Sequence, residues 1–137
     1  MILIVCIDDK NGMLFHNRRQ SQDRVLRERL LVETSDSKLW MNEYTYMQFE
    51  AAPASHIVVD DDFLEKAGCG EYCFAENLPV AFFENRLEEI ILYKWNRVYP
   101  ADLFFDISLE KSGWKMIQSE DFSGSSHEKI TKEVYRR

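Results

Sequence analysis

No apolar run in this 137-residue chain approaches the ~18 residues that a membrane-spanning helix requires, so a spanning helix is excluded. The opening MILIVCIDDK lacks the basic start and small-residue cleavage site of a signal peptide, which predicts a cytoplasmic protein that does not engage membranes. Cysteine is scarce. Cys6, Cys69 and Cys73 leave one thiol without an intrachain partner, and three free thiols are the expected state in a reducing compartment. Cys69 and Cys73 are spaced to share a helix face, but no second Cys or His pair lies nearby to complete a metal site. His16, His56 and His127 are scattered and form neither H-x-H nor H-E-x-x-H, so no metal is expected and a zinc hydrolase finds no support. Repeats, low-complexity tracts and linkers are also missing, which leaves residues 1–137 as a single domain. At 45% hydrophobic content the chain is long enough to bury a core without staples.

Positive charge is in short supply: 17 Lys and Arg against 24 Asp and Glu give a net charge of -7, which argues against general nucleic-acid binding. Its distribution is uneven. Arg18, Arg19, Arg24, Arg27 and Arg29 crowd one segment with only Asp23 and Glu28 among them. That segment is either a solvated helix face laced with ion pairs or an anion-binding site built from Arg18, Arg19, Arg24 and Arg27.

The residues that are present read as alternating strands and helices. ILIVCI at 2–7 is a continuous apolar, β-branched run of strand length, closed by the Asn-Gly turn signal of DDKNG, and predicts a central strand buried on both faces. SQDRVLRERLLVETS places Val25, Leu26 and Leu30 near helical spacing behind Ser21 as N-cap. SKLWM predicts a strand, EYTYMQF a short helix, HIVV a strand and DFLEKAG one or two helical turns. EYCFA reads as another strand, LPVAFFENRL as a helix opened by Pro79, and EEIILYKW as a strand. The last third carries strand and turn signals without a helix. This order predicts a mostly parallel α/β sheet with an appended antiparallel hairpin. The abrupt passage from HIVV into Asp60, Asp61 and Asp62 reads as a helix N-cap with acids in the first turn; a divalent-cation site from three adjacent carboxylates would need help from elsewhere.

The chain resembles the dihydrofolate reductase family along its whole length. ILIVCIDDKNGM is similar to that family's first strand and the turn into its flexible active-site loop. SKLWMNEYTY stands where the family has V-I-M-G-R-x-T-[WF], EYCFA where a strand runs into a Gly-Gly pair, and ADLFFD where it has D-T-x-F-P. HIVV and IILYKW resemble two further strands, and GWKMIQSEDF through HEKITKEVYRR the closing hairpin. The resemblance implies a dihydrofolate-reductase-like fold: a mostly parallel central sheet flanked by helices, with a C-terminal antiparallel hairpin.

The departures from that pattern fall on the residues that carry chemistry. The Gly-Gly turn lets backbone approach the cofactor pyrophosphate, and the matching positions here are Ala75 and Glu76. The M-G-R-x-T motif appears as Met41-Asn42-Glu43-Tyr44-Thr45, without its glycine or its arginine. Asp60 leads three acids where the family places residues that receive the 2′-phosphate of NADPH; these carboxylates with Glu43 and Glu76 are expected to repel NADPH, so the cofactor positions Ala75, Glu76, Asn42 and Asp60 are predicted lost. On the substrate side the resemblance implies Asp23 as the catalytic carboxylate ahead of the first helix. A second register puts Gln20 there, and an exposed first-turn acid paired with Arg27 is the structural alternative. Ala54 replaces the arginine that clamps folate, and Tyr93 stands nearest the threonine that backs the acid.

Together these features predict a diverged dihydrofolate-reductase-like protein without NADPH-dependent reductase activity and without a cofactor. It would act as a binding or regulatory protein, its partner a small anionic ligand or another protein. The alternative is a reductase of dihydrofolate or another pterin with a rebuilt NADPH site and Asp23 as its acid. A third possibility makes Trp40, Tyr44, Tyr46, Phe82, Phe83, Tyr93 and Trp95 a docking patch, although such residues are more often core.

Overall fold

The computed structural model describes residues 1–137. Its first strand, β1 (Ile2–Ile7), is the apolar run at the N-terminus, and it is central because both of its faces are apolar. Leu3, Val5 and Ile7 enter one hydrophobic cluster, while Ile4 enters the other with Ile2 and Cys6 packed at its edge. β6 (Tyr72–Phe74) and β7 (Glu89–Lys94) flank it, both parallel. β4 (Leu39–Met41) and β5 (Ile57–Val59) extend the sheet on the β6 side. On the β7 side, β10 (Ile130–Arg136) pairs antiparallel to β7 and β9 (Lys115–Phe122) antiparallel to β10, which is the expected terminal hairpin. The seven-stranded order is β5-β4-β6-β1-β7-β10-β9.

Helices cover both faces. α1 (Arg24–Glu33) lays Leu26 and Leu30 on the cluster that holds Ile4, Phe74 and Tyr93; burying a leucine such as Leu30 contributes about 1.5–3 kcal/mol. α3 (Phe63–Lys66) places Phe63 and Leu64 against Leu3, Val5 and Leu92 on the other face. α2 (Glu43–Tyr46) continues into a 3-10 turn at Met47–Phe49 that buries Phe49.

Several expectations are corrected in detail. Ser21 is not the N-cap of α1: Asp23 is, its side chain accepting the Leu26 amide, and the helix begins at Arg24. Residues 78–87 do not form an α-helix. Ala81–Arg86 is a 3-10 segment with no buried residue, held at its entry by the Asp106 carboxylate, which accepts the Val80 and Ala81 amides. Without an apolar stripe to bury, that segment gains nothing from completing α-helical turns. Asp62 occupies the N-cap of α3 without a capping bond. Asp60 instead accepts the Asp62 amide at 2.8 Å and pairs with Lys66 at 2.7 Å, so the first acid closes a turn. Of the aromatic residues weighed as a patch, Tyr93 and Trp95 are buried, Trp40, Tyr44, Tyr46 and Phe83 are half-buried against the clusters, and Phe82 is 89% exposed.

A second, three-stranded sheet was not anticipated. β2 (Gly12–Phe15) is its centre, flanked by β3 (Arg18–Arg19) and β8 (Leu103–Phe104). His16 and Asn17 take φ of 48° and 61° between β2 and β3, the left-handed pair of a two-residue hairpin turn. This hairpin fixes the residues that line the main cavity.

Candidate functional site

The site is organised from Asp8, the first residue after β1. Its Oδ1 accepts the amides of Lys10 (2.9 Å) and Gly12 (2.7 Å), and Oδ2 accepts Gln20 Nε2 (3.1 Å) and the Tyr99 amide (3.0 Å). Burial raises the pKa of Asp8, but the donors from Tyr99, Gly12, Lys10 and Gln20 outweigh it and hold the carboxyl below its ordinary value. One ionised side chain thus ties the β1–β2 turn, the exit of the hairpin and the segment at Tyr99 together. Gly12 is required there: a Cβ would lie 2.7 Å from the Ala101 methyl and 2.6 Å from Gln20 Nε2.

Around this tie lies a cavity of about 440 Å³, lined by Phe15, His16, Arg18, Arg19 and Gln20 with Tyr99 and Pro100 opposite. Phe15 stacks on His16 at 3.9 Å between centroids, giving an aromatic wall beside the exposed guanidinium of Arg18. The Gln20 carbonyl oxygen is buried without a hydrogen-bond partner. The arginine segment does not converge on this cavity. Arg18 and Arg19 line it, whereas Arg24 and Arg27 border a separate depression of about 230 Å³ with Gln48, Phe49 and Ala52. Arg24 is paired with Glu28 at 3.2 Å, and Arg27 donates to Gln22 rather than to Asp23.

Beyond Arg19 the ends of β1 and β6 meet. Arg19 grips Glu76 with two parallel bonds, Nε at 3.1 Å and a terminal nitrogen at 3.0 Å, while Gln48 donates to the same carboxylate at 3.1 Å. The guanidinium lies 4.6 Å over the Tyr44 ring and also donates to the Tyr44 carbonyl. Glu76 is 8% exposed and the Arg19 side chain 20%. Desolvation lowers the Arg19 pKa, but the hydrogen bond and charge of Glu76 outweigh it and leave the net shift upward. Burial, reinforced by the Glu76 charge and opposed by Arg19, pushes the neighbouring Cys6 thiol well above its usual range. Ala75 is fully buried and its amide bonds the Ile4 carbonyl just past the end of β6, and the chain bends at Glu76. Asn42 caps α2 through the Thr45 amide and donates to Asn77, leaving its side chain fully engaged.

Asp23 is neither exposed nor paired with Arg27. Its carboxylate is buried and accepts from the amides of Leu26 (3.1 Å), Ser125 (3.0 Å) and Ser126 (2.8 Å), from Ser126 Oγ (3.1 Å) and from His127 Nδ1 (3.0 Å). Burial pushes its pKa up, but the Ser126 and Ser125 amides, His127 and the Leu26 amide together hold it far below the carboxylate range. His127 is also buried; it stacks on Trp95 at 4.6 Å, and its Nε2 meets Ser21 Oγ at 2.9 Å and Tyr99 Oη at 3.2 Å. Gly124 opens the space for this arrangement, since a Cβ there would collide with the Asp23 carboxylate and lie 2.9 Å from Ile130 Cδ1. Sequence reasoning missed His127, Ser21 and Tyr99 as site residues, and no local spacing could have found a pair 104 residues apart.

The order and direction of the strands define a dihydrofolate-reductase-like α/β fold. Among solved structures, dihydrofolate reductase from Enterococcus faecalis, complexed with NADP(H) and RAB-propyl, matches with a TM-score of 0.69 at 12% sequence identity, covering 99% of this chain and 95% of that one. At that identity the likeness shows the fold alone. No family model matches the sequence, and no curated protein does.

Proposed function

We propose that this dihydrofolate-reductase-like chain has no NADPH-dependent reductase activity and works as a binding or regulatory protein for a small anionic ligand seated beside Arg18. The observation that carries this reading is the Arg19–Glu76 pair at the end of β6. Backbone must approach a cofactor pyrophosphate closely, and at the matching position this chain carries Glu76, a carboxylate clamped by Arg19 and Gln48, after a fully buried Ala75. Exclusion therefore acts through occupancy. Glu76 is neutralised by its partner, so its charge contributes less repulsion than the sequence implied.

The other family positions support the same reading. Glu43 is the first residue of α2, where an arginine would bind phosphate, and the turn after β5 is built from Asp60 and Asp62. The residues present do not fit NADPH. Asp23 is likewise ill-suited to supply a proton to a pterin: five donors converge on it and hold it ionised. Arg18, by contrast, makes no ion pair and lies on an aromatic-walled cavity, a combination that suits an anion with a planar body.

The test is a titration with NADPH followed by tryptophan fluorescence, with inorganic pyrophosphate run on the parent and on Arg18→Ala. No NADPH saturation at millimolar concentration is expected, together with pyrophosphate binding that weakens at least tenfold in Arg18→Ala. Saturable micromolar NADPH binding would restore the reductase with a rebuilt cofactor site. Equal pyrophosphate binding by the two proteins would remove Arg18 from the site.

A further inference from the structure

We propose that Ser21, His127 and Asp23 form a nucleophile, a general base and a positioning carboxylate that hydrolyse a carboxylic ester whose anionic end lies in the cavity beside Arg18. The anionic end rests on the reading above; the hydrolytic set stands on its own geometry. Asp23 is ionised and can only accept, so the proton shared with His127 sits on Nδ1, and the imidazole presents the lone pair of Nε2 outward. The nearest donor to that lone pair is Ser21 Oγ at 2.9 Å. These two contacts place a hydroxyl, an imidazole and a buried carboxylate in the order that activates a serine.

The surroundings fit the role. Trp95 covers one face of the imidazole and the backbone amides of Ser125 and Ser126 hold Asp23, so neither ring nor carboxylate is free to turn. Ser21 is only half-buried. Tyr99, which shares Nε2 at 3.2 Å, is also a wall of the cavity, as is Gln20 next to Ser21 in the chain. Tyr99 thus links the cavity wall to the base nitrogen. Ser126 is not the nucleophile, because its hydroxyl contacts Nδ1, the nitrogen that faces Asp23, and donates to Gln22 and Asp23.

The steps balance with water as the co-reactant. Ser21 Oγ bonds to the ester carbonyl carbon as its proton passes to His127 Nε2; the carbon–alkoxy bond breaks and the leaving alcohol takes that proton. Water then adds to the acyl-serine, giving a proton to Nε2. The bond to Oγ breaks, Ser21 recovers the proton, and the acid is released. No electrons change hands.

The test uses the full chain with an alkyl fluorophosphonate, the labelled residue being located by peptide mass, and with two p-nitrophenyl esters, the acetate and the hydrogen succinate. Labelling at Ser21 is expected in the parent and none in Ser21→Ala, whose unchanged thermal midpoint will show that it folds. Nitrophenol release should fall on the order of 100-fold in Ser21→Ala and in His127→Gln. Absence of label at Ser21, or equal release by parent and Ser21→Ala, overturns the hydrolytic set and leaves the network as a tie between residues 124–127 and α1. Label at Ser21 without faster turnover of the charged ester overturns only the anionic end, and with it the ligand class proposed above.

Discussion

Replacing Asp23 by alanine tests how much of this fold hangs on one carboxylate. The side chain caps α1 through the Leu26 amide, and an N-cap Asp→Ala change alone costs about 1 kcal/mol. The same oxygens satisfy the amides of Ser125 and Ser126 and the Nδ1 of His127; each buried donor left without an acceptor costs about 1–3 kcal/mol, less where water can reach it. Ser125 and Ser126 lie partly open and will recover some of that through solvent, whereas His127 Nδ1 is closed off. The expected loss is therefore about 3–4 kcal/mol at pH 7, measured by urea unfolding followed by tryptophan fluorescence. Its pH dependence has a definite sign. A carboxyl whose folded pKa is depressed contributes fully above its unfolded value, near about 3.9, and loses that contribution as pH falls toward the folded value. The contribution of the Asp23 carboxylate to the difference between parent and Asp23→Ala should thus shrink below about pH 4, by at most about 1.4 kcal/mol per unit. A loss under about 1 kcal/mol at pH 7, or a difference that does not shrink on acidification, would show that Asp23 is not the buried, ionised anchor described.

Two further perturbations probe the other fixed points. Glu76→Ala leaves the Arg19 guanidinium facing Tyr44 with no carboxylate; breaking a buried pair costs about 3–5 kcal/mol, and partial exposure of Arg19 reduces the expected loss to about 2–3 kcal/mol in the same denaturation assay. A change near zero would mean that the pair is solvated and does not fill the cleft. Gly124→Ala drives a methyl into the Asp23 carboxylate and toward Ile130, for an expected loss of about 1–3 kcal/mol by thermal or urea unfolding; a neutral result would show that residues 124–127 yield readily.

Some of this was legible along the chain and some was not. The run ILIVCI specified a doubly buried central strand because every residue in it is apolar, whichever face it meets. Leu26 and Leu30 marked the covered face of α1 by spacing alone. AFFENR misled because its aromatics suggest burial while none of its residues is buried, so the segment folds as 3-10. Three acids after β5 looked like a cap, but the cation that settles Asp60 is Lys66, six residues on.

What the sequence determined by itself is what depends on local order: strand length, helical periodicity and the Asn-Gly turn after β1. What only the tertiary structure decided is which distant groups meet. Arg19 and Glu76 lie 57 residues apart and Asp23 and His127 104: the β2–β3 hairpin lays Arg19 beside the end of β6, and the loop between β9 and β10 brings His127 to the N-terminus of α1. Side-chain electrostatics and hydrogen bonds act over a few ångströms, so the charge of Glu76 read as repulsion in the chain and as half of a clamp in the fold.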